Sequence, residues 1–267
     1  MKRQMLILFF SVVSTAASAA ESDILSSPRA SQRSANSSLE AEIGGILGIG
    51  PGYLGAQKLS FGAGSYFEGN FGNGVFLGQD GIGYRTQNYG SFSIAASLGA
   101  SRSRYEREGN SDAHNRLTGM GDVTPRAQAN LFGNYDAGQY HVFGWLQREL
   151  GNRDGVEFQL TGLYDVASSK TDLVQLFAGL DYANQAKMQT FFGVTAAQAS
   201  SSGNPVYTPG AGIAGSGVGS IWRHAFKQHW VGILEVGAIS LRGGAADSPL
   251  TARKTSGLVV VSTGYRF

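Results

Sequence analysis

Few residues in this chain are arranged to do covalent chemistry. Gly210-Ala211-Gly212-Ile213-Ala214-Gly215 spells G-x-G-x-x-G. A dinucleotide loop of that pattern needs a strand before it and a helix after it, so that the pyrophosphate meets the helix N-terminus. Here more glycines and then "SIWRHAF" follow at strand spacing, and small residues at a close strand approach explain the run. The histidines are His114, His141, His224 and His229, and none forms an i,i+4 pair. His224 and His229 flank "AFKQ", a turn where two imidazoles could hold a metal or simply meet solvent. A hydrolase needs a nucleophile, a base and an orienting carboxylate held together. No G-x-S-x-G occurs, and His141 with a serine and Asp165 would meet only if the fold brought them together. With no cysteine, disulfides and thiolate metal sites drop out. The expectation is a protein without catalysis and without a cofactor.

The remaining polar candidates are charges inside alternating segments. In "VEFQLTGLYDV", Val156, Phe158, Leu160, Tyr164 and Val166 oppose Glu157, Gln159, Thr161 and Asp165. In "LVQLFAGLDY", Val174, Leu176, Ala178, Leu180 and Tyr182 oppose Gln175, Phe177, Gly179 and Asp181. Phe92, Ile94, Ala96, Leu98 and Ala100 share one face of another segment. From Val123, a further one sets Pro125, Ala127, Ala129, Leu131 and Tyr135 against Arg126, Gln128, Asn130 and Asn134. At the end of the chain, Val259, Val261, Thr263, Tyr265 and Phe267 form one greasy face. A period of two means extended strands with one apolar side.

Each segment runs about ten residues between turns rich in Gly, Asn, Asp and Ser, the length a tilted strand needs to cross a bilayer. Strands in lipid must close on themselves, because hydrocarbon offers backbone groups no partner. The fold expected is therefore all-β: a transmembrane, antiparallel, up-and-down barrel. Segments near 40–49, 59–69, 75–86, 91–102, 122–136, 140–150, 156–167, 173–183, 189–198, 212–225, 229–242 and 255–267 give about twelve strands, or ten if two weak ones merge. Segments 75–86, 140–150 and 229–242 alternate poorly. In 140–150, His141, Phe143 and Trp145 compete with Val142 and Leu146 for the outward face. Tyr164, Tyr182, Trp230 and Tyr265 suit interfacial girdles. Arg126, Glu157, Asp165 and Asp181 would face the lumen, lining water or pairing across a filled interior; their mixed signs argue against strong ion selectivity.

Composition agrees. Charged residues are 15% of the 267, well below the usual quarter, while glycines number 39. Mean hydropathy is only −0.10, as expected when apolar residues are spread over many strands. Residues 1–19 read as a secretory signal peptide: Lys2 and Arg3, an apolar run over Met5–Val13, and Ala17-Ser18-Ala19 before cleavage between Ala19 and Ala20. Residues 20–38 are polar and Ser-rich, a flexible periplasmic segment, with the barrel over 39–267. Removing residues 1–19 takes the chain's +2 charge to about zero, so nucleic acid is not an expected partner. With both ends in the periplasm, Ser200–Gly210 and Gly243–Lys254 become external loops. Ser103–Gly121 then falls on the periplasmic side, where turns are usually short.

"FFGVTAAQASSSGNPVYTPGAG", "GGAADSPL", the terminal "GYRF" and the earlier "LTGMGD" together resemble the MipA/OmpV family of Gram-negative outer-membrane proteins. The motif positions are Gly119, Gly121, Asp122, Phe192, Gly193, Asp247, Ser248 and Pro249. Asp247-Ser248-Pro249 reads either as a surface contact or as turn chemistry. The resemblance implies residence in the cell outer membrane, contact with its lipid, and a scaffold for a murein hydrolase (a lytic transglycosylase) and a penicillin-binding synthase. Tyr265 and Phe267 would be the signal read by the barrel-assembly machinery. Rival readings are a small-solute pore, from the polar inner face, and a surface adhesin, acting through the external loops.

Overall fold

The computed structural model describes residues 40–86, 88–112 and 114–267. The signal peptide, its cleavage at Ala19 and Ala20, and segment 20–38 lie outside the described residues.

The chain forms a closed barrel of twelve antiparallel strands in sequence order. The first half comprises β1 (Glu40–Pro51), β2 (Leu59–Asn70), β3 (Val75–Gly78), β4 (Gly81–Arg85), β5 (Phe92–Ala100) and β6 (Ala127–Ala137). The second half comprises β7 (Tyr140–Glu149), β8 (Val156–Ser168), β9 (Asp172–Ala183), β10 (Gly212–Phe226), β11 (Trp230–Leu241) and β12 (Thr255–Arg266). β12 closes on β1 from Glu42↔Arg266 to Ile49↔Val259. Inside that seam the Glu42 carboxylate meets Arg266 Nε at 2.9 Å and accepts from the Tyr66 hydroxyl at 2.7 Å. The bare edge of the terminal strand is thus covered by the first strand.

Alternation becomes orientation. In β12 and β5 every second residue is exposed, and these are Val259, Val261, Phe92, Ile94 and Leu98 of the apolar face. β7 resolves the competition: Val142 and Leu146 point out, while Phe143 and Trp145 are buried inside. They join Phe76, Ala95 and Phe132 in one inner apolar cluster. A second cluster on the inner faces of β9–β12 gathers Phe177, Ile221, Val231, Ile233, Ile239, Leu258 and Val260. The inner face is therefore not uniformly polar.

The count of twelve is met by two compensating differences. The segment read as one strand over 75–86 is a hairpin, β3 and β4, turning at Gln79-Asp80. Gly81 follows at φ +90°, a conformation that glycine adopts freely. The segment read as a strand over 189–198 is helical: α1 (Gln185–Phe192) and α2 (Ala196–Ser202). Asn184 caps α1, accepting from Lys187 N at 2.9 Å, and Thr195 with Gln198 forms a capping box on α2. Those local hydrogen bonds, with helix formers between them, outweigh a weak strand pattern. The extra turn at Asp80 reverses the chain once more, so Ser103–Gly121 lies at the same end as the other long connections. The strand expected over 122–136 starts only at Ala127; Val123 leaves the wall and is buried among loop residues.

One end carries short turns, at 71–74, 138–139, 169–171 and 227–229, and the other carries long connections. In outer-membrane barrels short turns face the periplasm and long loops face outward. Aromatics ring the short-turn end: Phe92–Tyr135 at 4.6 Å, Tyr140–Tyr164 at 5.1 Å, and Trp230–Tyr265 at 5.2 Å between ring centres. Tyr182 sits at the opposite rim, paired with Phe158.

Candidate functional site

The long connections do not splay into solvent. They fold inward and pack into a cap. The β1–β2 connection brings Tyr53, Leu54 and Ala56; the β5–β6 connection brings Leu117, Met120 and Val123. The β9–β10 connection brings Met188, Phe191, Phe192 and Val194, and the β11–β12 connection brings Ala245, Ala246 and Leu250. The last three belong to or follow α3 (Gly243–Ala246).

Single hydrogen bonds tie these loops together. The buried Tyr53 hydroxyl donates to Leu250 O at 3.1 Å, and the Asp112 carboxylate is 3.3 Å away. That same carboxylate accepts from the backbone of Gln57 and Lys58 at 2.9 and 2.8 Å. Burial, with Asp112 beside it, pushes the Tyr53 hydroxyl well up from its usual range, so it stays a donor. Arg104 donates to Phe191 O at 2.6 Å. Burial pulls this guanidinium down, while the carboxylates of Glu108 and Glu106 push it back up. Arg116 donates to Pro249 O at 2.8 Å, and Gln198 to Met120 O at 2.7 Å.

The cap is pinned to the wall by charge. Lys187 of α1 is buried with its amine 3.1 Å from Glu149 on β7 and 3.3 Å from Glu157 on β8. Gln147 also donates to Glu157, at 2.9 Å. Beside this cluster, under α1, a cavity of about 30 Å³ is lined by Arg102, Glu157, Asp181, Lys187 and Phe191. By the usual measure it holds one or two waters.

The motif residues converge on the cap. Ser248 is buried, donates to Phe192 O at 2.6 Å and accepts from Leu250 N at 3.1 Å. Pro249 supplies the carbonyl that Arg116 holds. Gly193 ends α1 and follows Phe192 into the cap. Gly119 has φ +77°, and a side chain there would strike Ser201 O. Asp122 accepts from Glu106 N at 2.9 Å, and Gly121 N donates to the Glu106 carboxylate. Asp247 stays exposed, 2.9 Å from Lys254.

Of the four charges expected in the lumen, Glu157 and Asp181 are buried on the inner face. Asp165 also points inward, near the short-turn end, accepting from Gln175 at 2.7 Å. Arg126 is not on a strand: it sits at the rim, donating to Asn152 at 2.6 Å, because β6 begins one residue later. His141 lies between Asp136 (2.7 Å) and Asp165 (3.3 Å), with no serine among those contacts. His224 is bonded to Asp172 at 2.7 Å, and His229 to Arg266 O at 3.0 Å. Among the described residues no group of three or more His, Asp or Glu side chains is placed to hold a metal ion. Sequence reasoning gave Tyr53 and Lys187 no role and took Arg104 and Asp112 only as charges keeping Ser103–Gly121 in water; both are buried, and these four residues hold the cap. The one available signal was helical: Asn184 and Thr195-x-x-Gln198 as caps on either side of Lys187.

A closed barrel with an apolar outer band, an aromatic ring and short turns at one end defines an outer-membrane β-barrel protein of a Gram-negative bacterium. The family model described as "MltA-interacting protein MipA" matches residues 43–267, and the chain belongs to that family. No curated protein matches it in sequence. Among solved structures it is similar to the anion-selective porin from Comamonas acidovorans, at 10% identity and TM-score 0.37, covering 86% of this chain and 99% of that one. It is likewise similar to the in-vitro folded outer-membrane protein OmpT of Vibrio cholerae, at 9% identity and TM-score 0.38, covering 86% and 96%.

Proposed function

We propose that this barrel is a non-enzymatic scaffold that holds murein-processing enzymes, a lytic transglycosylase and a penicillin-binding synthase, against the inner surface of the outer membrane. The observation that favours a scaffold over an axial pore is the cap. Four connections close the outer end through buried apolar contacts and backbone-directed hydrogen bonds. The partner class rests on the description of the family. Docking falls to the periplasmic end, where the turns display Phe71, Tyr89, Lys170 and Lys227. Ser103–Gly121, on the far side of the membrane, is excluded from it.

The test is affinity purification of the tagged protein from cells crosslinked across the periplasm, with partners identified by mass spectrometry. Specific recovery of a lytic transglycosylase or a penicillin-binding protein is expected, and substitutions in the short turns should abolish it. Recovery of assembly factors and abundant lipoproteins alone would remove the reading. A planar bilayer gives the companion measurement: steady single-channel conductance from the refolded barrel would favour the pore instead.

A further inference from the structure

The wall is not of even height. β3 and β4 are four and five residues long, whereas their neighbours β2 and β5 have twelve and nine. β2 meets β3 only at Gly69↔Leu77 and Asn70↔Phe76. Among the described residues no strand lies beside Leu59–Glu68 on that side. Across the gap, β5 has β4 beside it up to Leu98. The hairpin thus stops roughly 30 Å of tilted strand short of the top of β2 and leaves a notch that narrows toward β5, which ends at Ala100, two residues beyond Leu98. It opens at the capped end, at the depth of the outer leaflet.

The edge of this notch is polar in a specific way. Phe71 N donates to Val75 O at 2.9 Å across the β2–β3 seam. Every second residue of β2 therefore turns its N–H and C=O the same way: Phe67, Ser65, Ala63 and Phe61. Among the described residues no strand pairs with them there. Hydrocarbon cannot satisfy such groups, and open backbone persists in a bilayer only when covered by protein or lining water. The outward side of the β2 edge is apolar, with Phe61 68% and Phe67 38% exposed, continuous with the lipid-facing band. The inward residues Ser60, Gly62 and Gly64 are small, and Gly64 is exposed. A second copy does not fit: strands tilted on two facing barrels cross instead of running side by side.

We propose that the notch is a lateral opening, at which an acyl amphiphile of the outer leaflet lays a hydroxyl- or amide-bearing head on the β2 edge. Its acyl chain lies along Phe61 and Phe67 on the outward side of that edge. The head must both donate and accept, because the edge presents N–H and C=O together. The cap closes the axial route, so the lumen meets the outer leaflet sideways. This inference rests on the barrel's place in the membrane and is independent of the scaffold reading.

The chain has no cysteine, so single labels are clean. Ser65 and Thr263 share a row across the wall, each opposite Gly45 on β1. A nitroxide on S65C in bilayers should be several-fold more accessible to a water-soluble paramagnet than one on T263C; equal accessibility overturns the opening. Native mass spectrometry of the barrel, extracted from its own membrane in mild detergent, should show a retained lipid. Gly64→Trp fills the notch from within, and Ser65→Pro deletes one edge donor at a position where proline is tolerated. Both should cut the lipid adduct several-fold while keeping heat-modifiable migration. A barrel that retains no lipid, that retains a peptide in its place, or whose adduct is unchanged in both variants overturns the proposal.

Discussion

The wall and the cap of this barrel are held by different kinds of contact. In the wall, the β2–β3 seam apart, each strand pairs with its neighbours along most of its length, so stability is spread over many equivalent backbone hydrogen bonds. In the cap, four loops are joined by bonds that occur once each, between residues as far apart as Tyr53 and Leu250. A repeated interaction tolerates the loss of one member. A unique one does not, because a buried group left without its partner carries the full desolvation penalty.

The largest effect expected in the wall is on assembly. Phe267 contributes one backbone bond, to Ala41 O at 2.9 Å, and an edge contact with the Tyr265 ring. Its removal should cost the folded barrel little, yet most of the outer-membrane yield should be lost if the terminal aromatic is read by the assembly machinery. Normal yield with heat-modifiable migration would refute this. A refolded truncation that unfolds at much lower denaturant would instead place Phe267 among the stabilising contacts, and so blur the contrast.

In the cap the largest effect should come from Lys187→Met. The substitution keeps the length of the side chain but removes the cation shared by Glu149 and Glu157, leaving them only the 3.9 Å contacts of Arg153 and Arg102. Breaking a buried pair from one side costs ~3–5 kcal/mol. Hydrogen exchange should show α1 and α3 losing protection by two to three orders of magnitude, while β7 through β10 keep theirs. Loss of protection across the whole barrel would show that cap and wall fold as one unit. Ser248→Ala is the next step down. It deletes a donor to Phe192 O and an acceptor for Leu250 N, about 1–3 kcal/mol for buried partners. Protease sensitivity confined to the β9–β10 and β11–β12 connections is the expected readout, and an unchanged digestion pattern would show that water replaces the hydroxyl.

The same contrast decides what the sequence makes legible. Alternation in β5, β8, β9 and β12 can be read directly, because the pleat repeats every two residues and one face meets lipid. β7 defies that reading because Phe143 and Trp145 face an apolar cluster inside the barrel, so both faces are greasy. Gln79-Asp80 followed by Gly81 is a legible hairpin turn that a window of strand length averages away. The cap has no period at all. Tyr53, Asp112, Arg104 and Ser248 lie in separate loops, and only the closed barrel brings those loops to one end. Motif residues such as Gly119 and Ser248 mark the cap without saying what they touch there.

The smallest effect tests whether the cap has a pH dependence that the wall lacks. Glu108, in the 3-10 turn over Glu106–Ser111, is half-buried, and burial raises its carboxyl above the usual value despite Arg107 and Arg104 nearby. A raised carboxyl favours the protonated form in the folded loop. Its contribution is therefore most favourable at low pH and is lost as pH rises from the unfolded carboxylate value through the raised one. At neutral pH the ionised Glu108 counts against the folded loop. Glu108→Gln should then protect the amides of this turn slightly at pH 7, by less than about 0.5 kcal/mol. The difference should vanish near pH 4, where the native carboxyl is already neutral. Exchange rates measured at both pH values, corrected for intrinsic rates, check this. An equal gain at both would mean that Gln acts by shape, and a loss at pH 7 would mean that the attraction to Arg104 and Arg107 outweighs burial.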